Sequence, residues 1–292
     1  MNLHFKTIGV VAKPSNAALL SLKKLIAILL KHKLTVLCEK TTAQHLPQHN
    51  NLRLCDLPLL SKNCDLVIII GGDGTFLKTA RLLACDQVYL LGINQGALGF
   101  LADINPNQLE NKINEILAGK YTKEARFLLG AYVKKENKLK EQFSALNEIT
   151  IISDNPSHML EFEIYIDDIF LCAQKSNGVI IATPTGSTAY ALSGGGPILY
   201  PTLNAITIVP MFPHTLSLRP IVIGANSTVN IIVSKNCKYK AIAYGDSQNS
   251  MEINNSNQIS IKKIKKTLHL IHPMDYDYFK TLRHKLGWGH NP

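Results

Sequence analysis

The sequence is short of several features, and each shortage closes off a class of protein. It has no apolar stretch of membrane-spanning length. The unbroken aliphatic run near the middle, residues 66–70, falls far short of the roughly 20 residues a spanning helix needs. Residues 1–5 show no basic segment followed by a long apolar run, so no secretory signal is expected. The six cysteines, Cys38, Cys55, Cys64, Cys85, Cys172 and Cys237, are scattered with no close pair. Disulfides and a structural zinc site are therefore disfavoured, and reduced, mostly buried thiols in a cytoplasmic protein are expected. No internal repeat, low-complexity tract or RNA- or DNA-binding motif is visible. Basic residues are spread along the chain. The one modest cluster, Lys262, Lys263, Lys265 and Lys266, reads as a solvated strand face. No nucleic-acid or membrane partner is expected.

What is present suits a globular protein of two domains. The chain has 292 residues, 46% hydrophobic and 18% charged, a composition that argues against disorder. Lys and Arg number 31 against 21 Asp and Glu, and the pI is about 9.2. Such a positive field attracts polyanions, dinucleotides and nucleoside triphosphates among them.

The first third alternates strand and helix signals. Residues 6–12 predict a strand, and 17–30 a helix with Leu19, Leu22, Leu25, Ile26 and Leu29 at helical spacing. Residues 34–38 predict a strand, followed by a polar stretch with Pro47 and Asn50–Asn51. Residues 66–70 predict a strand buried on both faces. A helix over 75–83, a strand over 88–93 and a helix over 106–117 complete a doubly wound, Rossmann-like α/β domain. After about residue 121 the pattern becomes β-rich, with strands expected over 127–134, 144–152, 160–166, 179–182, 205–209, 228–233 and 259–271. Residues 276–286 read as a terminal helix ending near Gly287. The expected division is 1–121 for the α/β domain, 122–273 for the β-rich domain and 274–292 for the final helix.

Three stretches carry chemistry. Gly71–Gly72–Asp73–Gly74–Thr75 lies between an apolar strand and a helix. In an open parallel sheet, ligands bind at the carboxyl ends of strands, where glycines let the backbone approach a phosphate and a helix start points N–H groups at an anion. A carboxylate there is tolerable mainly if it serves a metal or removes a proton. The bland alternative makes Asp73 a helix cap. The second stretch runs from Thr183 through Tyr190 to Pro197 and is dense in Thr, Ser and Gly. It could wrap a polar ligand with backbone and hydroxyl hydrogen bonds, while Tyr190 offers a ring face, or it could be a long turn-rich loop. The third is Asn147–Glu148 within an apolar strand, where successive side chains point to opposite faces. Either one polar group turns toward the core or a cleft, or the strand lies at an edge with one residue exposed.

Taken together these stretches resemble the bacterial NAD kinases. The glycine–Asp loop, Gly92–Ile93–Asn94 with Gly99–Phe100–Leu101, Asn147–Glu148, Thr183 to Pro197, the run from Pro213 to Pro220, Asp246–Ser247–Gln248 and the terminal His272–Pro273 occur in that family's order and rough spacing. The glycine–Asp loop is shared with phosphofructokinases and lipid kinases. The Thr–Pro–Thr–Gly–Ser–Thr–Ala–Tyr stretch discriminates far better. The resemblance covers nearly the whole chain.

The resemblance implies an α/β domain plus a β domain, with the C-terminal helix returning to the first. It implies ATP-dependent phosphorylation of NAD, a divalent metal, usually magnesium in the family, bound with ATP, and a homodimer or homotetramer. Asp73 matches the family's catalytic base toward the adenosine 2′-hydroxyl, with Gly71, Gly72 and Gly74 forming its loop. Asn147 and Glu148 match the pair that holds the adenosine part of NAD. Thr188, Ala189, Tyr190 and Ser193 match positions lining the dinucleotide site. Gln248 lies in the Asp–x–Gln segment, and His158 and Lys175 match further contacts. The chain departs from the family at Asn177–Gly178, where Asp–Gly is usual. Residue 177 either contacts the nicotinamide end of NAD or is a favourable turn residue. Two other functions fit the glycine–Asp loop: a kinase of a sugar or lipid, and a non-catalytic dinucleotide sensor. Ligand-induced stabilisation separates the first, and an intact Asp73 argues against the second.

Overall fold

A computed structural model describes residues 4–44, 46, 52–84, 88–96, 99–135, 138–155, 157–253 and 258–289. Cys85, Pro47 and Asn50–Asn51 lie outside the described residues. The chain forms two compact units, one of residues 1–125 with 268–292 and one of residues 126–267. It crosses from one to the other inside two long strands, Tyr121–Lys135 and Gln258–Pro273.

The first unit is a parallel sheet. Its strands lie in the order Leu52–Cys55, Thr35–Glu39, Thr7–Ala12, Leu66–Gly71, Tyr89–Asn94, and then residues 269–270 of the strand Gln258–Pro273. Side chains of successive strand residues point to opposite faces, and both faces are covered. Ile8, Val10, Ile68 and Ile70 pack with Leu22, Leu25 and Leu29 of the helix Asn16–Lys31 and with Ile113 and Ile116 of the helix Leu109–Leu117. On the opposite face Gly9 lies against Val67, Cys64 and Leu60, the last on the helix Leu57–Asn63, so a Cβ at residue 9 would sit 2.9 Å from the Val67 side chain. The strand order reverses between Thr7–Ala12 and Leu66–Gly71, which makes that edge the topological switch point of the sheet. The doubly wound reading of the sequence holds.

The local chemistry accounts for the helix ends. Ser15 caps Asn16–Lys31 through the amide of Ala18, and Asp277 caps Tyr278–Leu286 through the amide of Phe279. Gly287, in the left-handed region at φ 68°, stops that last helix. The helix expected over 106–117 is split: Pro106–Gln108 forms a 3-10 turn and Leu109–Leu117 the α-helix. Between residues 40 and 63 the structure holds the short helix Lys40–Ala43, the edge strand Leu52–Cys55 and the helix Leu57–Asn63, none of which the apolar pattern announces. Proline at the second helical position, Pro58, reads as a breaker but is tolerated in a first turn, whose amides need no intrahelical partner.

The second unit is antiparallel β. The strand Ile169–Ala182 is its spine, pairing with Leu160–Ile166, Glu148–Ser153 and Ala205–Pro213 along different parts of its length. Ala241–Gly245 and Asn249–Ile253 extend one edge. Val229–Val233 joins Leu160–Ile166 to residues 258–261. Phe162, Ile164, Val179, Ile181 and Ile231 meet in one core. The single strand expected over 144–152 is two strands, Lys138–Ala145 and Glu148–Ser153, broken at Leu146–Asn147. The five described cysteines are free; four are buried and Cys172 is half-buried. Among the described residues no helix is long and apolar enough to cross a membrane.

Candidate active site

The glycine–Asp loop sits where the sheet reverses. Leu66–Gly71 is wholly buried, Gly72 adopts an extended conformation as N-cap, and Asp73 is the first residue of the helix Asp73–Leu83. No side chain caps this helix, so the reading of Asp73 as a cap does not hold. Its carboxylate faces the segment after Gly99 instead. The amide of Phe100 donates to Oδ2 at 2.9 Å and the amide of Leu101 to Oδ1 at 3.0 Å. Glycine at 99 is what permits this approach, since a Cβ there would lie 2.2 Å from Asp73 Oδ1. Glycine at 92 does the same for the chain behind, where a Cβ would lie 2.5 Å from the Leu101 carbonyl oxygen. Gly72 and Gly74 face open space, and Gly71 has no room for a Cβ beside Thr75. The outcome is a half-buried carboxylate, fixed by two backbone amides, at a helix start with open glycine backbone around it.

The second unit carries a buried acid. Asn147 lies in the break between strands and Glu148 opens the next strand. The alternation argument therefore fails at Asn147, because that residue belongs to no strand. The cause is Asp246, whose buried carboxylate takes the place of a strand partner. Oδ2 accepts from the Leu146 amide at 2.8 Å, and Oδ1 accepts from Asn147 at 2.8 Å and Glu148 at 3.2 Å. Asp246 and Ser247 both adopt left-handed backbone, φ 51° and 54°. The Asp–x–Gln segment marks this place in the sequence, but with Gln248 as its candidate contact; the role of Asp246 shows only in the hydrogen bonds it accepts.

Glu148 is 5% exposed, and its Oε2 atom has no hydrogen-bond partner. Burial pushes its carboxyl up to about 8, the charge of Asp246 adds to the rise, and a hydrogen bond from the Tyr190 backbone opposes it. Near neutral pH this side chain is a carboxylic acid, able to donate a hydrogen bond as well as accept one.

The hydroxyls of the Thr–Ser-rich stretch divide into an inward and an outward set. Thr183 donates to the Leu146 carbonyl at 2.6 Å, Ser187 donates to the Pro184 carbonyl at 2.6 Å, and Thr185 accepts from Arg126 at 3.1 Å. These buried hydroxyls brace the loop rather than face outward, because a buried irregular backbone must satisfy its own polar groups. A Cβ at residue 186 would lie 2.1 Å from the Asn147 carbonyl oxygen, so Gly186 presses the loop onto Asn147. Beyond the 3-10 turn Gly186–Thr188, the surface is formed by half-buried Thr188 and Ala189 and exposed Tyr190 and Ser193. Tyr190 and Ser193 line a cavity of about 490 Å³ with Met211, Phe212, Leu216 and Arg219.

The remaining candidates spread over this unit. His158 stacks on Tyr239 with centroids 3.9 Å apart. Lys175 pairs with Glu161 at 3.0 Å and lines a separate cavity of about 600 Å³ with Gln174 and Lys235. Gln248 is exposed and its amide donates to Gly245 at the turn between two strands. Asn177 is half-buried in the middle of Ile169–Ala182, so Asn177–Gly178 is not a turn. Glycine at 178 answers a close approach instead, with a Cβ falling 2.2 Å from the Ile151 carbonyl oxygen. The structure thus gathers Asn147, Glu148, Tyr190 and Gly186 around one loop, and Gly71, Gly72, Asp73 and Gly74 around another.

An α/β unit with a carboxylate-bearing glycine loop at its switch point, together with an antiparallel unit built around a buried acid, is the architecture of a nucleotide-dependent phosphotransferase. Residues 8–121 match the ATP-NAD kinase N-terminal domain and residues 146–273 the ATP-NAD kinase C-terminal domain. The NAD kinase of Pseudomonas entomophila is 47% identical over 286 residues, covering 98% of this chain and 96% of that protein. The NAD kinase of Teredinibacter turnerae is 45% identical over 290 residues, covering 97% of each. The fold is also that of yeast NADH kinase crystallised with NADH, with a TM-score of 0.88 at 22% identity over all of this chain and 90% of that one. An NAD kinase from Archaeoglobus fulgidus in complex with ATP gives 0.73 at 24% identity, covering 97% and 98%. The chain belongs to the NAD kinase family.

Proposed function

We propose that Asp73 is the general base in the reaction that family membership assigns to this chain, transfer of the γ-phosphoryl group of ATP to NAD, which yields NADP. The observation that supports this reading is the Asp73 carboxylate itself, fixed by the amides of Phe100 and Leu101 within a glycine loop at the sheet's switch point. Phosphoryl transfer depends on positioning and charge neutralisation more than on covalent help. Asp73 orients the adenosine 2′-hydroxyl and accepts its proton as the oxygen bonds to phosphorus and the γ-phosphoryl leaves ADP. A carboxylate is a far weaker base than a sugar alkoxide, so the proton moves late, when bond formation has acidified the oxygen. Gly72 and Gly74 leave room for phosphate oxygens against the backbone, and Gly71 completes the loop by letting Thr75 pack against it.

Asn147 and Glu148 hold the adenosine, with Glu148 as a neutral acid able to donate to it. Thr188, Ala189, Tyr190 and Ser193 line the dinucleotide, Asn177 meets its nicotinamide end, and His158, Lys175 and Gln248 make further contacts. Functionally, residues 1–121 carry the glycine loop, 122–273 the NAD-binding groups and 274–292 the returning helix.

A divalent metal, magnesium in the resembling family, would arrive with ATP and would supply neutralisation of the triphosphate charge. Among the described residues no cluster of three or more His, Cys, Asp or Glu forms a dedicated cage.

The chain acts in the cytoplasm as a homodimer or homotetramer. Phe212 and Leu216, 78% and 87% exposed, supply apolar surface suited to self-association. The test is incubation with NAD, ATP and magnesium. NADP should accumulate in proportion to ADP, and failure to form NADP would overturn the reading.

A further inference from the structure

His272 lies far along the chain from the glycine loop, yet it is tied to the segment that holds Asp73. It stands near the end of the strand Gln258–Pro273, which runs beside Tyr89–Asn94 through the pairs His269 with Tyr89 and Leu270 with Leu90. The ring is 3% exposed. Its Nδ1 lies 2.8 Å from Asp103 Oδ2 and its Nε2 lies 3.1 Å from Glu124 Oε2. Tyr276 stacks on it with centroids 4.0 Å apart. The titratable groups facing His272 are thus Asp103 from the segment after Tyr89–Asn94, Glu124 from Tyr121–Lys135, and Tyr276 from the turn before the last helix. Burial alone pushes the imidazole down, but the two carboxylates outweigh it and hold the ring above its ordinary value. Only the doubly protonated ring donates to both carboxylates.

Asp103 is two residues from Leu101, whose amide holds Asp73, and the chain between them has no slack. Leu101 and Ala102 are buried, and a Cβ at residue 92 would sit 2.5 and 2.6 Å from the Leu101 carbonyl oxygen and the Ala102 Cα. Ile104 is paired on both sides, its amide to the Gly92 carbonyl and its carbonyl to the Asn94 amide. A shift of Asp103 therefore has to move either the Ile104 pairs or the amides of Phe100 and Leu101. The strain is shared between the two, and the share taken by the amides reaches Asp73 directly.

We propose that His272 is a positioning residue for phosphoryl transfer: by anchoring Asp103 it fixes the backbone amides that hold the Asp73 carboxylate in line. The proposal rests on the reading of Asp73 as general base. A misplacement of about 1 Å in a catalytic group costs on the order of a hundredfold in rate, so a loosened segment should show in kcat.

Two substitutions separate this role from simple stabilisation. The His272→Asn amide occupies the place of Nδ1 and still donates to Asp103, whereas the His272→Gln amide reaches the place of Nε2 and donates to Glu124 instead. Each keeps one of the two hydrogen bonds and removes the ring's contact with the other carboxylate, so both should lower Tm. For equal amounts of folded enzyme, His272→Asn should keep kcat within about threefold, and His272→Gln should lose about ten- to a hundredfold. KM for NAD should move less than about twofold in either. In an Asp73→Asn background, His272→Gln should cause no further loss, because the amides no longer position a base. Equal kcat for the two His272 variants, or a full multiplicative loss in the Asp73→Asn background, would overturn the role given to His272 alone. Wild-type turnover by Asp73→Asn would instead overturn the base assignment.

Discussion

Replacing Glu148 by Gln should change stability by an amount that depends on pH in a defined way, a loss at the acid end of the accessible range and a gain at the alkaline end. In the unfolded chain the carboxyl titrates at its ordinary value near 4.5, while in the fold burial and Asp246 push it to about 8. Between those values the folded protein holds a proton that the unfolded chain has released. With a raised folded pKa, the contribution of Glu148 is fully present below about pH 4.5 and is lost as pH rises toward 8, beyond which it is level. At about 1.36 kcal/mol per pH unit, the full span corresponds to about 5 kcal/mol, an upper bound because structure and water relax around an ionised group. The Gln variant carries no such penalty. Its amide must place an N–H₂ where Glu148 Oε2 has no partner, at a pH-independent cost of about 1–3 kcal/mol. The assay is urea unfolding of both proteins between pH 5 and 8.5. The stability difference should move in favour of the variant by about 2–4 kcal/mol across that range, and NAD affinity at pH 7 should stay within about threefold because acid and amide are both neutral. A difference that is constant with pH would refute a protonated Glu148.

Two further substitutions probe the site. Gly99→Ala places a methyl 2.2 Å from Asp73 Oδ1; it should lower kcat about ten- to a hundredfold while costing about 1–3 kcal/mol of stability. Wild-type kcat in a folded variant would show that the amide cradle is dispensable. Asn177→Asp should tighten NAD binding about three- to tenfold, on the order of 1 kcal/mol, since a charge-assisted hydrogen bond exceeds a neutral one. Kd values measured side by side at one salt concentration check this, and an unchanged or weaker affinity would remove residue 177 from the nicotinamide end.

How much of this was legible beforehand depends on whether a local rule was at work. Helical spacing of Leu22, Leu25 and Leu29, and the unbroken run from Leu66 to Ile70, marked elements whose burial the structure repeats. The edge strand Leu52–Cys55 escaped notice because Arg53 and Leu54 face outward and no apolar face forms. The glycine–Asp loop announced itself through glycine density, but not the partners of Asp73, which are backbone amides 27 and 28 residues away. Gly92 and Gly99 appeared as motif letters; only the coordinates explain them, through contacts a Cβ would block. The density of hydroxyls from Thr183 to Ser193 does not tell which of them face outward; those of Thr183 and Ser187 brace their own loop because side-chain direction is not encoded in composition. Asn147 was assigned to a strand because its neighbours are apolar. The Asp246 carboxylate that breaks that strand lies about a hundred residues on, and long-range pairing of this kind leaves no local trace.

The central claim is that Asp73 takes the proton. Its most direct test is the turnover of Asp73→Asn at saturating NAD, ATP and magnesium, followed as NADP formed, with Tm and the Kd for NAD measured on the same protein. The account predicts a kcat lower by about two to four orders of magnitude, the usual scale for removing a general base, with the Kd for NAD within about threefold. Wild-type turnover by the folded variant would contradict it.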